Sequence, residues 1–159
     1  MKLTTRGRYG LRALIDLAVH EDEGAVSAQS IAERQDISES YLEQLIRSMK
    51  KAGLVVSVRG AGGGYHLAKP ASEISVGDIL RALEGNIDAV SCPALTVPAG
   101  SEASGACAGA EWCVTKYVWK RINDAISEAV DSIMLDQLVI ESRQMIRESG
   151  SEPVPCQNR

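Results

Sequence analysis

The chain has 159 residues, with 17 Lys+Arg against 21 Asp+Glu, four Cys, no Phe and a formal net charge of -4. At 45% hydrophobic and 24% charged residues it can bury a core, which excludes full-length disorder and suits one domain, or a small domain with an extension. No apolar run approaches the roughly 18–20 residues a bilayer requires, so a membrane span is excluded.

The first helical period covers residues 9–19, where Leu11, Leu14, Ile15, Leu17 and Ala18 fall largely on one face and Arg8, Arg12 and Asp16 mostly elsewhere. Glu21-Asp22-Glu23-Gly24 stops it, because glycine ends a helix cheaply through a positive φ. Ser27 then caps a short helix that runs to Arg34. Gln35-Asp36-Ile37 breaks that helix. A third opens at Ser38 or Ser40 and ends at Gly53, and Ser40 and Glu43 stand at capping-box spacing.

After Gly53 the period changes. Leu54, Val55, Val56, Ser57, Val58 and Arg59 form a β-branched run, followed by Gly60-Ala61-Gly62-Gly63-Gly64 and a second short strand at Tyr65, His66, Leu67 and Ala68. Two strands around a glycine-rich turn make a hairpin, which Pro70 closes. Ser75 caps the next helix, residues 76–83, with Asp78 at its favourable N-terminal end. Residues 91–110, rich in Ser, Gly, Ala and Pro, read as a long irregular loop. Beyond it, Val114, Tyr117, Val118, Ile122, Ala125, Ile126, Val130 and Ile133 trace the cleanest amphipathic helix of the chain. Residues 135–146 form a further helix, and a polar tail follows from Gly150.

Helix, short helix, Ser-capped helix and glycine-rich hairpin is the order of a winged helix-turn-helix, whose second turn helix enters the major groove of DNA. Charge agrees weakly: residues 1–69 hold ten Lys/Arg and eight Asp/Glu, whereas residues 70–159 hold seven and thirteen. Ser38, Ser40, Tyr41, Glu43, Gln44 and Arg47 lie in or beside the first turns of the recognition helix. Gln and Arg bond base edges in pairs, Ser and Tyr bond phosphate, and Glu accepts from cytosine N4. Leu42, Leu45, Ile46 and Met49 supply the buried face. Arg59 and Gly60 stand at the wing, where a long basic side chain beside flexible glycine suits a narrow minor groove. A three-helix protein-interaction module would leave the same polar residues merely solvated, but it has no use for a wing. A phosphate-cradling loop would need the Walker lysine and a following helix, and both are missing.

Cys92, Cys107 and Cys113 form the other constellation. The first eight residues are basic without an apolar region behind them, unlike a secretory signal, so the expected compartment is the reducing cytoplasm. Thiolates are soft ligands, and an iron–sulfur cluster, a zinc site, a regulatory disulfide and inert thiols all stay open on the residues alone. A thiol enzyme would need a base beside its cysteine, and neither His20 nor His66 is near in sequence. His20, ending the first helix, reads as a dipole cap, and His66 as a wing residue near backbone or DNA.

Residues 1–9, MKLTTRGRY, residues 37–45, ISESYLEQL, and residues 58–65, VRGAGGGY, resemble the IscR family of iron–sulfur cluster regulators within the Rrf-type winged-helix repressors. The resemblance extends over about residues 1–148 and is strongest in the first 85. It implies a mainly α homodimer with a small hairpin wing, a winged domain over residues 1–85, a cluster loop over 86–113, dimerisation helices over 114–148 and a flexible tail over 149–159. It further implies promoter DNA as partner, a 2Fe–2S cluster on Cys92, Cys107 and Cys113, control of cluster-assembly genes, and cluster-assembly proteins as donors. A clusterless repressor that senses thiol or cysteine metabolism is the alternative of the same fold. Two departures stand out. Fourteen residues separate Cys92 from Cys107 where the family pattern has five, although the five-residue gap to Cys113 matches. The family's histidine three residues after the last cysteine is Lys116 here, and an ammonium has no lone pair to give. Cys156, Glu111, Thr115 or a group from the partner subunit remain as fourth ligand, and Arg8 stands where some relatives have an Asp.

Overall fold

A computed structural model describes residues 4–96, 107, 110 and 112–150. Seven helices and one hairpin follow in order among these residues: α1 (Thr5–His20), α2 (Ala28–Gln35), α3 (Glu39–Lys51), β1 (Val55–Val58), β2 (Gly64–Leu67), α4 (Val76–Glu84), the short α5 (Pro93–Thr96), α6 (Val114–Asp131) and α7 (Leu135–Ser149). This is the expected mainly α winged architecture. No helix among the described residues is long and apolar enough to cross a membrane. Glu111, Cys156 and the tail from residue 151 lie outside the described residues.

Local chemistry explains most boundaries. The Ser27 side chain accepts from the Ser30 amide, and Ser75 with Asp78 completes a reciprocal capping box. At α3 the cap is Ser38, whose hydroxyl accepts from the Tyr41 amide at 3.3 Å. The Ser40–Glu43 capping box expected from spacing therefore does not form; Ser40 already lies inside the helix. The reason sits one turn earlier, where Asp36 adopts a left-handed conformation (φ 52°) and brings the chain into α3 at Ser38. His20 does close α1, its ring nitrogen bonding the Asp16 carbonyl at 2.8 Å.

One core joins α1, α3, α4 and α7. Leu14, Leu42, Ile74, Ile79 and Leu135 are wholly buried, each contributing about 1.5–3 kcal/mol through lost apolar exposure. Leu135 and Val139 come from α7, so that helix packs into the winged unit rather than standing apart from it. Between α1 and α2 the buried Asp16 carboxylate accepts from Arg34 Nε and Nη2, at 2.9 and 2.7 Å to its two oxygens, and from Gln35 Nε2.

The hairpin is antiparallel, pairing Val55 with Leu67 and Val58 with Gly64. It is fastened beneath by Val26, which exchanges two backbone hydrogen bonds with Tyr65. Gly64 makes this approach feasible, because a Cβ there would lie 2.5 Å from the Val26 carbonyl oxygen.

Candidate nucleic-acid interface and cysteine region

Positions 40, 43, 44 and 47 recur at helical spacing, so α3 carries Ser40, Glu43, Gln44 and Arg47 on one outward side, all exposed. Ser38 is exposed at the cap, with its hydroxyl engaged as described. Tyr41 differs from its neighbours. It is half-buried and meets the Tyr9 ring edge-on at 6.1 Å, while Arg12 lies over that same ring. The opposite side of α3 buries Leu42, Leu45, Ile46 and Met49, as expected.

Arg59 and Gly60 are exposed where the hairpin turns, and Gly60 takes φ 116°, a region open to glycine at little cost. The wing is not left to swing. Lys50 Nζ in the last turn of α3 donates to Ser57 Oγ of β1 at 2.7 Å. Arg6, at the start of α1, donates to Ser48 Oγ on α3. Neither tether is apparent in the sequence, although a lysine closing the recognition helix three residues after Arg47 was a visible hint.

The cysteines are arranged differently. Cys113 forms the N-cap position of α6 and is half-exposed, its Sγ 3.0 Å from Thr115 Oγ1. Hydrogen bonds from the Thr115 hydroxyl and the Lys116 backbone hold its thiol below the ordinary range, against a smaller desolvation effect. Cys92 is half-buried just ahead of α5, and its carbonyl accepts from the Leu95 amide; Cys107 is exposed, and its carbonyl accepts from the Ala110 amide. Among the described residues, no three Cys, His, Asp or Glu side chains gather into a group that could hold a metal ion. Lys116 donates from Nζ to the Ala110 carbonyl at 2.6 Å and lies over the Tyr117 ring. His66 stands 4.0 Å from the Glu21 carboxylate, away on the wing.

The apolar row of α6 stays largely uncovered: Tyr117 is 60% exposed, Val118 47% and Ile122 37%. The helix turns a different side inward, and its single buried residue is Asn123. Sequence periodicity pointed to the row and missed Asn123; a polar residue beside Ile122 was the available signal.

A model of the Rrf2 family, described as iron-dependent transcriptional regulators, matches residues 3–141. The transcriptional regulator IscR of Pectobacterium carotovorum is 45% identical over 139 residues, covering 87% of this chain and 79% of that protein. Among solved structures, IscR of T. potens is similar with a TM-score of 0.68 and 44% identity, over 91% of this chain and 90% of that one. CymR, the global cysteine regulator of B. subtilis, has a TM-score of 0.68 and 41% identity, over 89% and 98%.

Proposed function

Because this chain belongs to the Rrf2 family of iron-dependent transcriptional regulators, we propose that it binds promoter DNA as a homodimer under the control of a 2Fe–2S cluster. As a family member it is a DNA-binding transcription regulator and not an enzyme. The observation that carries the reading is the exposed row Ser40, Glu43, Gln44 and Arg47, held in fixed relation to the Arg59 wing by the Lys50–Ser57 bond. A helix of α3's length spans about 20 Å and enters a major groove about 12 Å wide. Ser38 and Ser40 then reach phosphate, Gln44 and Arg47 base edges, Glu43 cytosine, and Arg59 with Gly60 the minor groove. Tyr41 contributes through its hydroxyl, since its ring is committed to Tyr9.

A second copy of the chain covers the exposed α6 row, and two-fold symmetry presents two recognition helices to half-sites about one DNA turn, or a multiple of it, apart. Thiolates are the soft donors that a cluster takes, although among the described residues the cysteines do not gather into one group. Hydrogen bonds from Thr115 and the Lys116 backbone lower the Cys113 thiol from its ordinary value, and the stretches bearing Cys92 and Cys107 are each fastened to α6, through Asn123 and Lys116 respectively. Cys92, Cys107 and Cys113 would hold the iron, with Lys116 serving as a tether and not as the fourth ligand. When bound, the cluster would supply a one-electron couple, and its occupancy would follow iron supply. The regulated genes are those of iron–sulfur cluster assembly, the donors are assembly proteins, and the site of action is the cytoplasm.

Anaerobic absorbance with iron and sulfide quantification, followed by promoter titration of loaded and stripped protein, tests this. Visible absorbance with stoichiometric iron and sulfide, and a promoter affinity that changes on stripping, is the expected result. The separation of the cysteines among the described residues, and a TM-score to CymR equal to that to IscR, favour a second reading: a clusterless sensor of cysteine metabolism. Protein purified without oxygen that carries no iron decides for that reading.

A further inference from the structure

α6 buries one residue, and that residue is an amide. Asn123 Oδ1 accepts from the backbone amides of Ala89 and Val90 at 3.0 and 3.3 Å, and its Nδ2 donates to the Val90 carbonyl at 3.0 Å. Residues 86–92 belong to no helix or strand, so their backbone groups need partners from elsewhere. A carboxamide suits both polarities of Val90 at once, which a carboxylate or an aliphatic side chain cannot. Two residues further on is Cys92.

We propose that Asn123 is a positioning residue that docks the Cys92 arm on α6, the helix whose N-terminus carries Cys113. The benefit to a cluster rests on the reading above; the docking does not. The preceding anchor of this arm is Ile87, buried with Val76 and Leu80. Five residues from Ile87 let Cys92 range over about 17 Å, but two residues from Val90 allow only about 7 Å. Measured from the N-terminal side alone, the accessible volume shrinks on the order of tenfold, and α5, which also packs on α6, closes the other side.

The test compares Asn123→Ala, the isosteric Asn123→Asp, and a control, Asp124→Ala, whose side chain among the described residues pairs with exposed Lys120. In reduced, metal-free protein, alkylation of Cys92 followed by peptide mass spectrometry should speed several-fold in Asn123→Ala. Cys107 should react as in wild type. In protein reconstituted without oxygen, chelator-driven loss of visible absorbance should accelerate about tenfold. Asn123→Asp, which keeps the acceptor and loses the donor, should fall between, and it carries the test if the alanine variant does not fold. Unchanged Cys92 alkylation in both variants overturns the docking, whatever the cluster does. A wild-type protein that takes up no iron while Cys92 alkylation still responds sinks the cluster reading and leaves the docking standing.

Discussion

Arg81 of α4 and Asp131 of α6 face each other in a two-pronged ion pair, with Nη1 to Oδ1 at 2.6 Å and Nη2 to Oδ2 at 2.8 Å. The pair ties the helix packed beneath α3 to the helix headed by Cys113. It lies so close over Gly77 that a Cβ there would sit 1.8 Å from Asp131 Oδ1. The hydrogen bond from Arg81 holds the Asp131 carboxyl below the usual carboxylate range, and the same bond raises Arg81 further.

Solvent weakens that pair, since the two side chains are 37% and 45% exposed. Arg81→Ala should therefore lower stability by only about 0.5–1 kcal/mol. Because the folded Asp131 value is depressed, its contribution is complete above the ordinary Asp range and disappears as pH falls through the folded value. Denaturant curves of wild type and variant should differ at neutral pH and converge in acid. Coincident curves at neutral pH would refute a stabilising role.

Asp16 should matter more. Its side chain is 5% exposed and receives both Arg34 and Gln35. Asp16→Ala removes the buried carboxylate that Arg34 and Gln35 share between α1 and α2, at a cost of about 2–3 kcal/mol, or roughly 4–12 °C in Tm for a chain of this size. Calorimetry measures it, and a shift under 2 °C would contradict the assignment.

At the wing, Arg59→Ala should weaken promoter binding by about 1–3 kcal/mol and leave the oligomeric state alone. Fluorescence anisotropy at fixed salt, paired with sedimentation, gives both readouts. Equal affinity would mean the wing does not touch DNA.

Glu43 is exposed on α3, and with Ser38 as the cap it is free of the capping-box role. A carboxylate there repels phosphates at every site and is rewarded only where cytosine N4 donates to it. Glu43→Ala should relax specificity, so that the cluster-bound and cluster-free forms select overlapping sites. Binding-site selection on both forms checks this; unchanged preferences would rule it out.

The wing order, the Ser27 and Ser75 caps, the halt at Gly53 and the outward row of α3 were all legible, because each depends on residues within a few positions of one another. Ser38 and Ser40 were not separable in that way, since both offer an acceptor at workable spacing. The left-handed turn at Asp36 chose between them. The residues that bear on the cysteines were less legible still.

By itself, the sequence determined that this is a winged helix-turn-helix chain with three cysteines ahead of an amphipathic helix, since periodicity, capping and motif spacing are properties of contiguous residues. Only the tertiary structure decided which side of α6 turns inward, that Lys116 holds a carbonyl, that α7 joins the winged core, and that Asn123 grips the chain before Cys92. Those outcomes depend on partners up to 124 residues away, as in the Arg143 bond to the Val19 carbonyl. A backbone group without a local partner takes whatever donor or acceptor the packed chain brings to it, and no local pattern announces which one that is.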